Sequence, residues 1–361
     1  MEDIQQYNFT VKSNIHDYEV HFIDDVKSTL ENELKEGDFI IIDNNVKALY
    51  PEWFEEVLTN FKHIGINATE PQKSYQEVEP VINELIEKGF RKNHRLIAVG
   101  GGITQDVTAF IASILYRGVQ WYFFPTTLLA QGDSCIGSKT PINFGKFKNQ
   151  VGGFYPPNKI YVDPKFLESL PNKELQSGLG EMAHYYVVAS EEDFERYKSD
   201  YEGALTDKII LGGVIARSLE IKKSYIEIDE YDENERQVFN YGHSFGHAIE
   251  SLTNYGIPHG IAISFGMDMS NFISMKKGYI TSELRQNSRE LFEKIWNGYA
   301  GQVRILDIDT YLNALSKDKK NKGHLLGLIL NKGYGKVFKD FTENDSVFRE
   351  WIREYFKNEL N

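Results

Sequence analysis

The chain has 361 residues, 41% hydrophobic and 13% aromatic, which is enough for two domains with a large core and excludes global disorder. Its 53 acidic against 40 basic side chains give a net charge of −13, which excludes a nucleic-acid or anionic-membrane partner. The single cysteine, Cys135, excludes an internal disulfide and fits a reducing, cytoplasmic setting.

No basic n-region or apolar h-region follows Met1, so no signal peptide is expected. The longest apolar run, Val119–Leu129, is interrupted by Gln120, Pro125 and two threonines and is too short for a membrane span.

Residues 1–168 read as alternating strands and helices. Apolar runs predict strands at Tyr18–Ile23, Asp38–Asp43, His63–Thr69, Arg95–Val99 and Val119–Phe124. Helical spacing covers Tyr75–Gly89 and resumes from about Thr104. Such alternation implies right-handed crossovers and a mostly parallel sheet.

The pattern changes near Leu170-Pro171. Helical periodicity runs through Glu174–Ser190, Thr206–Ile228, Gly242–Thr253, Ile261–Lys277 and Ser282–Trp296. A hairpin is expected around Lys332–Gly335, and a last helix from about Asn344 to Phe356. The expected fold class is therefore an α/β N-terminal domain with a mostly parallel sheet, residues 1–168, plus an all-α-rich C-terminal domain, residues 169–361. The run Lys317–Lys322 reads as a solvated loop.

Four stretches carry chemistry. In Asn240–Glu250, His243 and His247 stand four residues apart, on one helical face, and His259 follows a short loop. This reads either as a divalent metal site, most plausibly zinc, or as surface and capping histidines in a Gly-rich turn. Gly100-Gly101-Gly102 joins an apolar strand to a helix, with Asp106 soon after. It reads as a phosphate-cradling turn at a helix N-terminus or as a plain tight turn.

Pro125-Thr126-Thr127 ends the next strand, where open α/β sheets bind ligands. The connection Asp133–Pro157 carries Lys139, Lys148 and Asn149 among glycines. It reads as a substrate loop offering cations and amides to an anion, or as a flexible surface loop. Glu181 lies in an apolar helix, where a carboxylate is costly unless paired or metal-bound. It is a candidate oxygen ligand beside His243 and His259. Lys222 and Arg236, taken singly, read as solvated charges.

Together these motifs resemble 3-dehydroquinate synthase and the related sugar phosphate cyclases. The likeness rests on Gly100–Gly102 with Asp106, Arg117-Gly118-Val119, Pro125–Leu129, Asp133-Ser134 with Lys139-Thr140, and Lys148-Asn149 with Phe154-Tyr155. It continues through Leu170-Pro171, Ser177-Gly178 with Glu181, and Gly242–Ala248 with His259-Gly260, spanning roughly residues 38–340.

The resemblance implies an NAD-binding α/β domain, a helical metal- and substrate-binding domain, an active site between them, and a homodimer. It implies metal ligands Glu181, His243 and His259, with zinc first and cobalt second, and turns His247 toward substrate phosphate. NAD contacts fall on Asp43, Glu70, Lys73, Gly100, Gly101, Gly102, Asp106, Thr126 and Thr127, with Leu170 and Glu174 as further candidates. Substrate contacts fall on Asp133, Lys139, Lys148, Asn149, His184, Lys222, Arg236, Asn240, His247 and a lysine of the pair Lys319, Lys320. Arg117 reaches the neighbouring subunit's phosphate.

The implied reaction is a transient oxidation by NAD, phosphate elimination, return of the hydride and an intramolecular aldol closure. The net change is a lyase-type cyclisation of a small phosphorylated sugar acid, placed in aromatic amino-acid biosynthesis.

The chain departs from the family at several points. His184 stands where a lysine is usual, and Gln105, Gly132, Ser138, Pro141 and Ile261 differ from the common run. Lys222, Arg236 and Asn240 instead favour a carboxylate-bearing substrate. The rival readings are a secondary-pathway cyclase acting on another heptulose or hexose phosphate, a metal-dependent polyol or alcohol dehydrogenase on the same scaffold, and a silent homologue.

Overall fold

The structure is a computed structural model that describes residues 4–145, 147–318 and 320–360. It contains two units, Met1–Leu170 with Leu211–Asp232, and Pro171–Ile210 with Glu233–Asn361. Division of the sequence near residue 168 does not anticipate the segment 211–232, which packs with the first unit. No helix among the described residues is long and apolar enough to cross a membrane.

The first unit is built on a seven-stranded sheet. Its strands are β1 (Phe9–Val11), β2 (Tyr18–Phe22), β3 (Phe39–Asp43), β4 (Lys62–Ile66), β5 (Leu96–Gly100), β6 (Trp121–Pro125) and β9 (Lys159–Val162), in the order β1-β2-β9-β6-β5-β3-β4. All neighbours are parallel except β1 and β2. Every residue of β3, β5 and β6 is buried, which explains their unbroken apolar runs: a parallel sheet is covered on both faces.

Helices α1 (Val26–Glu33), α2 (Asn44–Leu49) and α3 (Pro51–Asn60) close one core, where Phe54, Val57 and Leu30 meet Ile40, Ile42 and Val99. Helices α4 (Tyr75–Glu87) and α5 (Gly102–Ile114) complete the crossovers. The chain leaves β3 toward β4 and leaves β5 toward β6, on opposite sides. The carboxyl ends of β3 and β5 therefore form the switch point of the sheet, where open α/β folds hold ligands.

The connection after β6 is not the loose loop that its glycines suggest. It forms a hairpin of β7 (Ile142–Phe144) and β8 (Phe147–Val151), with Ile142 fully buried.

The second unit contains α6 (Asn172–Ala189), α7 (Glu191–Ala204), and the start of α8 (Lys208–Ile226), whose later turns belong to the first unit. It continues with α9 (His243–Leu252), α10 (His259–Lys276), α11 (Ser282–Ile295), α12 (Ala300–Arg304) and α13 (Ile308–Ser316). An antiparallel hairpin of β10 (Leu325–Asn331) and β11 (Val337–Glu343) precedes α14 (Ser346–Asn358).

Helix α10 is the centre of this unit, buried from Gly260 through Ser274. Its buried Asp268 is satisfied by Arg285 at 3.0 Å, Arg289 at 3.1 Å and the Tyr355 hydroxyl at 2.7 Å. A buried carboxylate is tolerable only with such partners.

Candidate functional site

Backbone contact between helices brings the site of the second unit together. A Cβ on Gly260 would lie 1.8 Å from the Ser177 carbonyl oxygen and 2.5 Å from the Glu181 nitrogen, so only glycine lets α6 and α10 cross this closely. On the other side of α10, a Cβ on Gly266 would lie 1.9 Å from the Gly242 carbonyl oxygen, at the turn that starts α9. These two crossings place Glu181 of α6 beside the first residues of α9 and α10, which are His243 and His259.

Glu181 Oε1 lies 3.3 Å from His243 Nε2, and Oε2 lies 3.4 Å from His259 Nε2. His247 sits one turn along α9, its ring centroid 5.3 Å from that of His243 and 5.7 Å from that of His259. The three histidines offer ligand atoms within 4.8 Å of one another.

Glu181 is 4% exposed, and its Oε2 accepts no hydrogen bond. Burial opposes ionisation of Glu181, but His243 and then His259 outweigh it and hold the carboxyl well below its usual range. Burial opposes a proton on His259 as well, and Glu181 with Glu250 holds it well above the usual value. His247 is the exposed member of the cluster, and its crowded surroundings, with His243, His259 and Lys320 beside it, lower its affinity for a proton.

The residues fit a divalent metal. The 3.3 and 3.4 Å spacings are long for hydrogen bonds. They match the edge of a tetrahedron with bonds of about 2.0–2.1 Å, the range for zinc with imidazole nitrogen and carboxylate oxygen.

Around this cluster, His184 is 1% exposed, its ring 3.9 Å from Tyr185, 5.7 Å from Phe239 and 5.6 Å from His243 by centroid. Its Nδ1 lies 3.8 Å from Glu181 Oε1. Arg236 is buried rather than solvated, and the Asn240 amide donates to the Gln237 carbonyl. Lys320 lies 3.2 Å from Asp318 and is only 18% exposed at its side chain, not the solvated charge its Lys-rich run suggests. Lys319 lies outside the described residues. Glu174 is exposed on the first turn of α6.

In the first unit, Asp43 ends β3 and caps α2 by accepting from Asn45 N at 2.9 Å. Burial pushes its carboxyl up. Gly100 ends β5, Gly101 precedes α5 and Gly102 begins it, so the Gly triplet lies at the switch point. Thr126 N donates to the Gly100 carbonyl at 3.0 Å, and Thr127 packs where a Gly101 side chain would stand.

Lys73 and Asp106 form a buried ion pair at 2.6 Å. Burial still pushes Asp106 up to about 6, against the pull of Lys73. Glu70 accepts from Asn143 at 2.8 Å and lies 3.7 Å from Lys148. Leu170 closes the turn after β9, its N–H donating to Leu167. Gln105 exchanges two 2.6 Å hydrogen bonds with Ser134.

The residues after β6 are held by α8 and its extension. Lys222 is buried and lies 2.7 Å from Asp133 Oδ1, a correction to its reading as a solvated charge. Glu230 accepts from Ser138 at 2.8 Å, and Asp232 pairs with Lys139 at 2.6 Å. These three links show why 211–232 belongs to this unit. Asn149 takes a left-handed backbone on β8, its N–H donating to Asn143.

Arg117 is exposed in a left-handed turn, with φ of +51° at Tyr116 and +61° at Arg117. Lys92 pins it by donating to the carbonyls of Tyr116 and Gly118. Sequence reading missed Glu250, Glu230 and Asp232, the acids that hold His259, Ser138 and Lys139. Glu250 was signalled by its place three residues after His247, on the same helical face.

Models of the N-terminal and C-terminal parts of 3-dehydroquinate synthase match residues 63–177 and 178–321. The chain is 34% identical to the 3-dehydroquinate synthase of Alkaliphilus metalliredigens over 82% of its own length and 84% of that protein's. It is 32% identical to that of Streptococcus equi, covering 95% and 97%. The chain belongs to the 3-dehydroquinate synthase family.

Solved structures share the fold of this family member. A 2-deoxy-scyllo-inosose synthase complexed with carbaglucose-6-phosphate, NAD+ and Co2+ aligns with TM-score 0.86 at 24% identity, over 96% of this chain and 99% of that one. A 2-epi-5-epi-valiolone synthase from Streptomyces hygroscopicus with NAD+ and Zn2+ aligns with TM-score 0.84 at 23%, over 98% of both. A glycerol dehydrogenase from Schizosaccharomyces pombe aligns less well, with TM-score 0.63 at 13%, over 94% of this chain and 90% of that one.

Proposed function

We propose that this chain is an NAD- and divalent-metal-dependent sugar phosphate cyclase of 3-dehydroquinate synthase type, converting a 3-deoxy-heptulosonate phosphate to a carbocycle with release of phosphate. The observation that carries the reading is the cluster of buried Glu181 with half-buried His243 and His259 at ligand spacing, in a chain of this family. When bound, the metal polarises a substrate hydroxyl and NAD takes and later returns a hydride.

Glu181, through its carboxylate, and His243 and His259, through Nε2, hold the metal, zinc first and cobalt second. His247 stays neutral and donates to the phosphate. Buried Arg236 offers a planar fork to the substrate carboxylate, with Asn240 beside it. Lys320 and Lys319 add positive charge in the second unit. In the first unit the proposed substrate contacts are Asp133, Lys139, Lys148, Asn149 and Lys222.

The first unit is the nucleotide-binding one. Asp43, Glu70, Lys73, Gly100, Gly101, Gly102, Asp106, Thr126 and Thr127 are its proposed NAD contacts, with Leu170 and Glu174. The glycines bring bare backbone amides to the N-terminus of α5, where a pyrophosphate is favoured. Exposed Arg117, on its pinned turn, is proposed to reach the neighbouring subunit's phosphate in a homodimer. The lone cysteine supports a cytoplasmic setting.

One observation favours a second reading, a cyclase of a secondary pathway. His184 occupies a fully buried aromatic pocket beside Glu181, in place of the usual lysine. A panel of keto-acid, heptulose and hexose phosphates, assayed with NAD and zinc for phosphate release, tests both. Highest turnover on the keto-acid phosphate supports the first reading, and highest turnover on a carboxylate-free sugar phosphate replaces it with the second.

A further inference from the structure

One buried acid beside the histidine cluster, Glu250, is neither a proposed ligand nor a proposed substrate contact. Glu250 lies on α9, seven residues after His243 and three after His247, so all three share one helical face. It is 8% exposed, and its Oε1 lies 3.0 Å from His259 Nδ1. The other nitrogen of the same ring, Nε2, faces Glu181 Oε2 at 3.4 Å. The ring is thus held between two carboxylates, one on each nitrogen.

A neutral imidazole carries one N–H and one lone pair. An anionic acceptor at Nδ1 keeps a proton there, so that a metal replacing the proton between Nε2 and Glu181 would meet the Nε2 lone pair. His243 has the same arrangement with a weaker acceptor, the Tyr241 carbonyl, 3.3 Å from its Nδ1. His259 needs more support. It is the first residue of α10, and its side chain is 31% exposed against 12% for His243. The Glu250 backbone is itself fixed, its carbonyl accepting from Tyr255 N at 2.8 Å.

We propose that Glu250 is a positioning residue for His259. Its carboxylate fixes the Nδ1–H tautomer and the ring orientation, and strengthens Nε2 as a donor to a divalent metal. The inference rests on the reading of Glu181, His243 and His259 as the ligands. Glu250 is not a ligand, because it approaches the nitrogen turned away from Glu181. Outer carboxylates of this kind are worth about 10–100-fold in metal affinity.

The test uses the full chain, stripped of metal, titrated with Co2+ in competition with a chromophoric chelator. Wild type is compared with Glu250→Gln, Glu250→Ala and His259→Ala, and the unfolding midpoint of each metal-free protein is recorded. Gln keeps an acceptor for Nδ1–H but loses the charge. The expected Kd is weaker by about 10-fold for Glu250→Gln and about 100-fold for Glu250→Ala, with His259→Ala losing tight binding.

Glu250→Gln should remain folded without metal, its metal-free midpoint lowered by no more than the loss of the Glu250–His259 charge pair, and its Co2+ absorption bands should keep their intensity. Should Glu250→Ala fail to fold, Glu250→Gln alone decides. Wild-type Kd in the Glu250 variants, with binding lost in His259→Ala, overturns the role of Glu250 alone. A change of Co2+ band intensity in Glu250→Gln also overturns it, by making Glu250 a ligand. Tight binding retained in His259→Ala, or no binding by wild type, overturns the metal reading and this inference with it.

Discussion

Lys222 Nζ donates to both the carbonyl and the carboxylate of Asp133, at 2.6 and 2.7 Å, across 89 residues of sequence. This pair ties α8 to the turn after β6, which explains why a helix that starts among the second unit's helices finishes in the first. A double-mutant cycle of Lys222→Met and Asp133→Asn, read by urea unfolding, should give a coupling of about 1–2 kcal/mol. Single effects that add to within about 0.5 kcal/mol would show that the pair does not hold the turn.

Gly260 is the closest approach in the candidate metal site. Gly260→Ala must push α6 from α10, because backbone atoms cannot yield as a side-chain tip can. The expected loss is about 3 kcal/mol or more, as for overpacked cores. Metal content should fall with it, since Glu181 and His259 separate together. Calorimetry and metal analysis check both.

Asp163 gives a pH-dependent prediction. It is 1% exposed, its Oδ1 accepts from Lys165 N, and its Oδ2 receives no hydrogen bond. Burial pushes its carboxyl up to about 6 from 3.8. The folded state thus holds the proton longer than the unfolded chain. Stability from this group is complete below pH 3.8, and is lost as pH rises through about 6. Asp163→Asn keeps the acceptor for Lys165 and removes the charge. Its advantage over wild type should be absent near pH 3.8 and grow to about 2–3 kcal/mol above pH 6. An advantage that does not vary with pH would contradict the account.

The histidine cluster admits two ligand sets, and two variants separate them. His243→Ala should lose bound metal. His247→Ala should keep it and raise KM for the phosphorylated substrate by about 10-fold or more, as for loss of a hydrogen bond to a charged group. Metal lost equally in both would make all three histidines ligands.

Much of this architecture can be read from residue pattern. The strands β3, β5 and β6 are legible because parallel strands are apolar on both faces. His243, His247 and His259 are legible because four-residue spacing and one short loop are local features. Helix α7 is not, since its sequence is dominated by charge and only Phe194, Tyr197, Tyr201 and Ala204 are buried. Strand β9 is only four residues long.

The burial of Lys222 and Arg236 escaped because a charge alone reads as solvated, and its burial depends on partners far away in sequence. Glu250 escaped for the same reason, although its helical face was already marked by two histidines.

A cyclase of this type recycles NAD within each turnover, and one stoichiometry tests that. Purified protein with NAD, zinc and a 3-deoxy-heptulosonate phosphate should release one phosphate per substrate consumed, with no accumulation of NADH. NADH accumulating one for one with substrate, without phosphate release, would contradict it and make the chain a dehydrogenase.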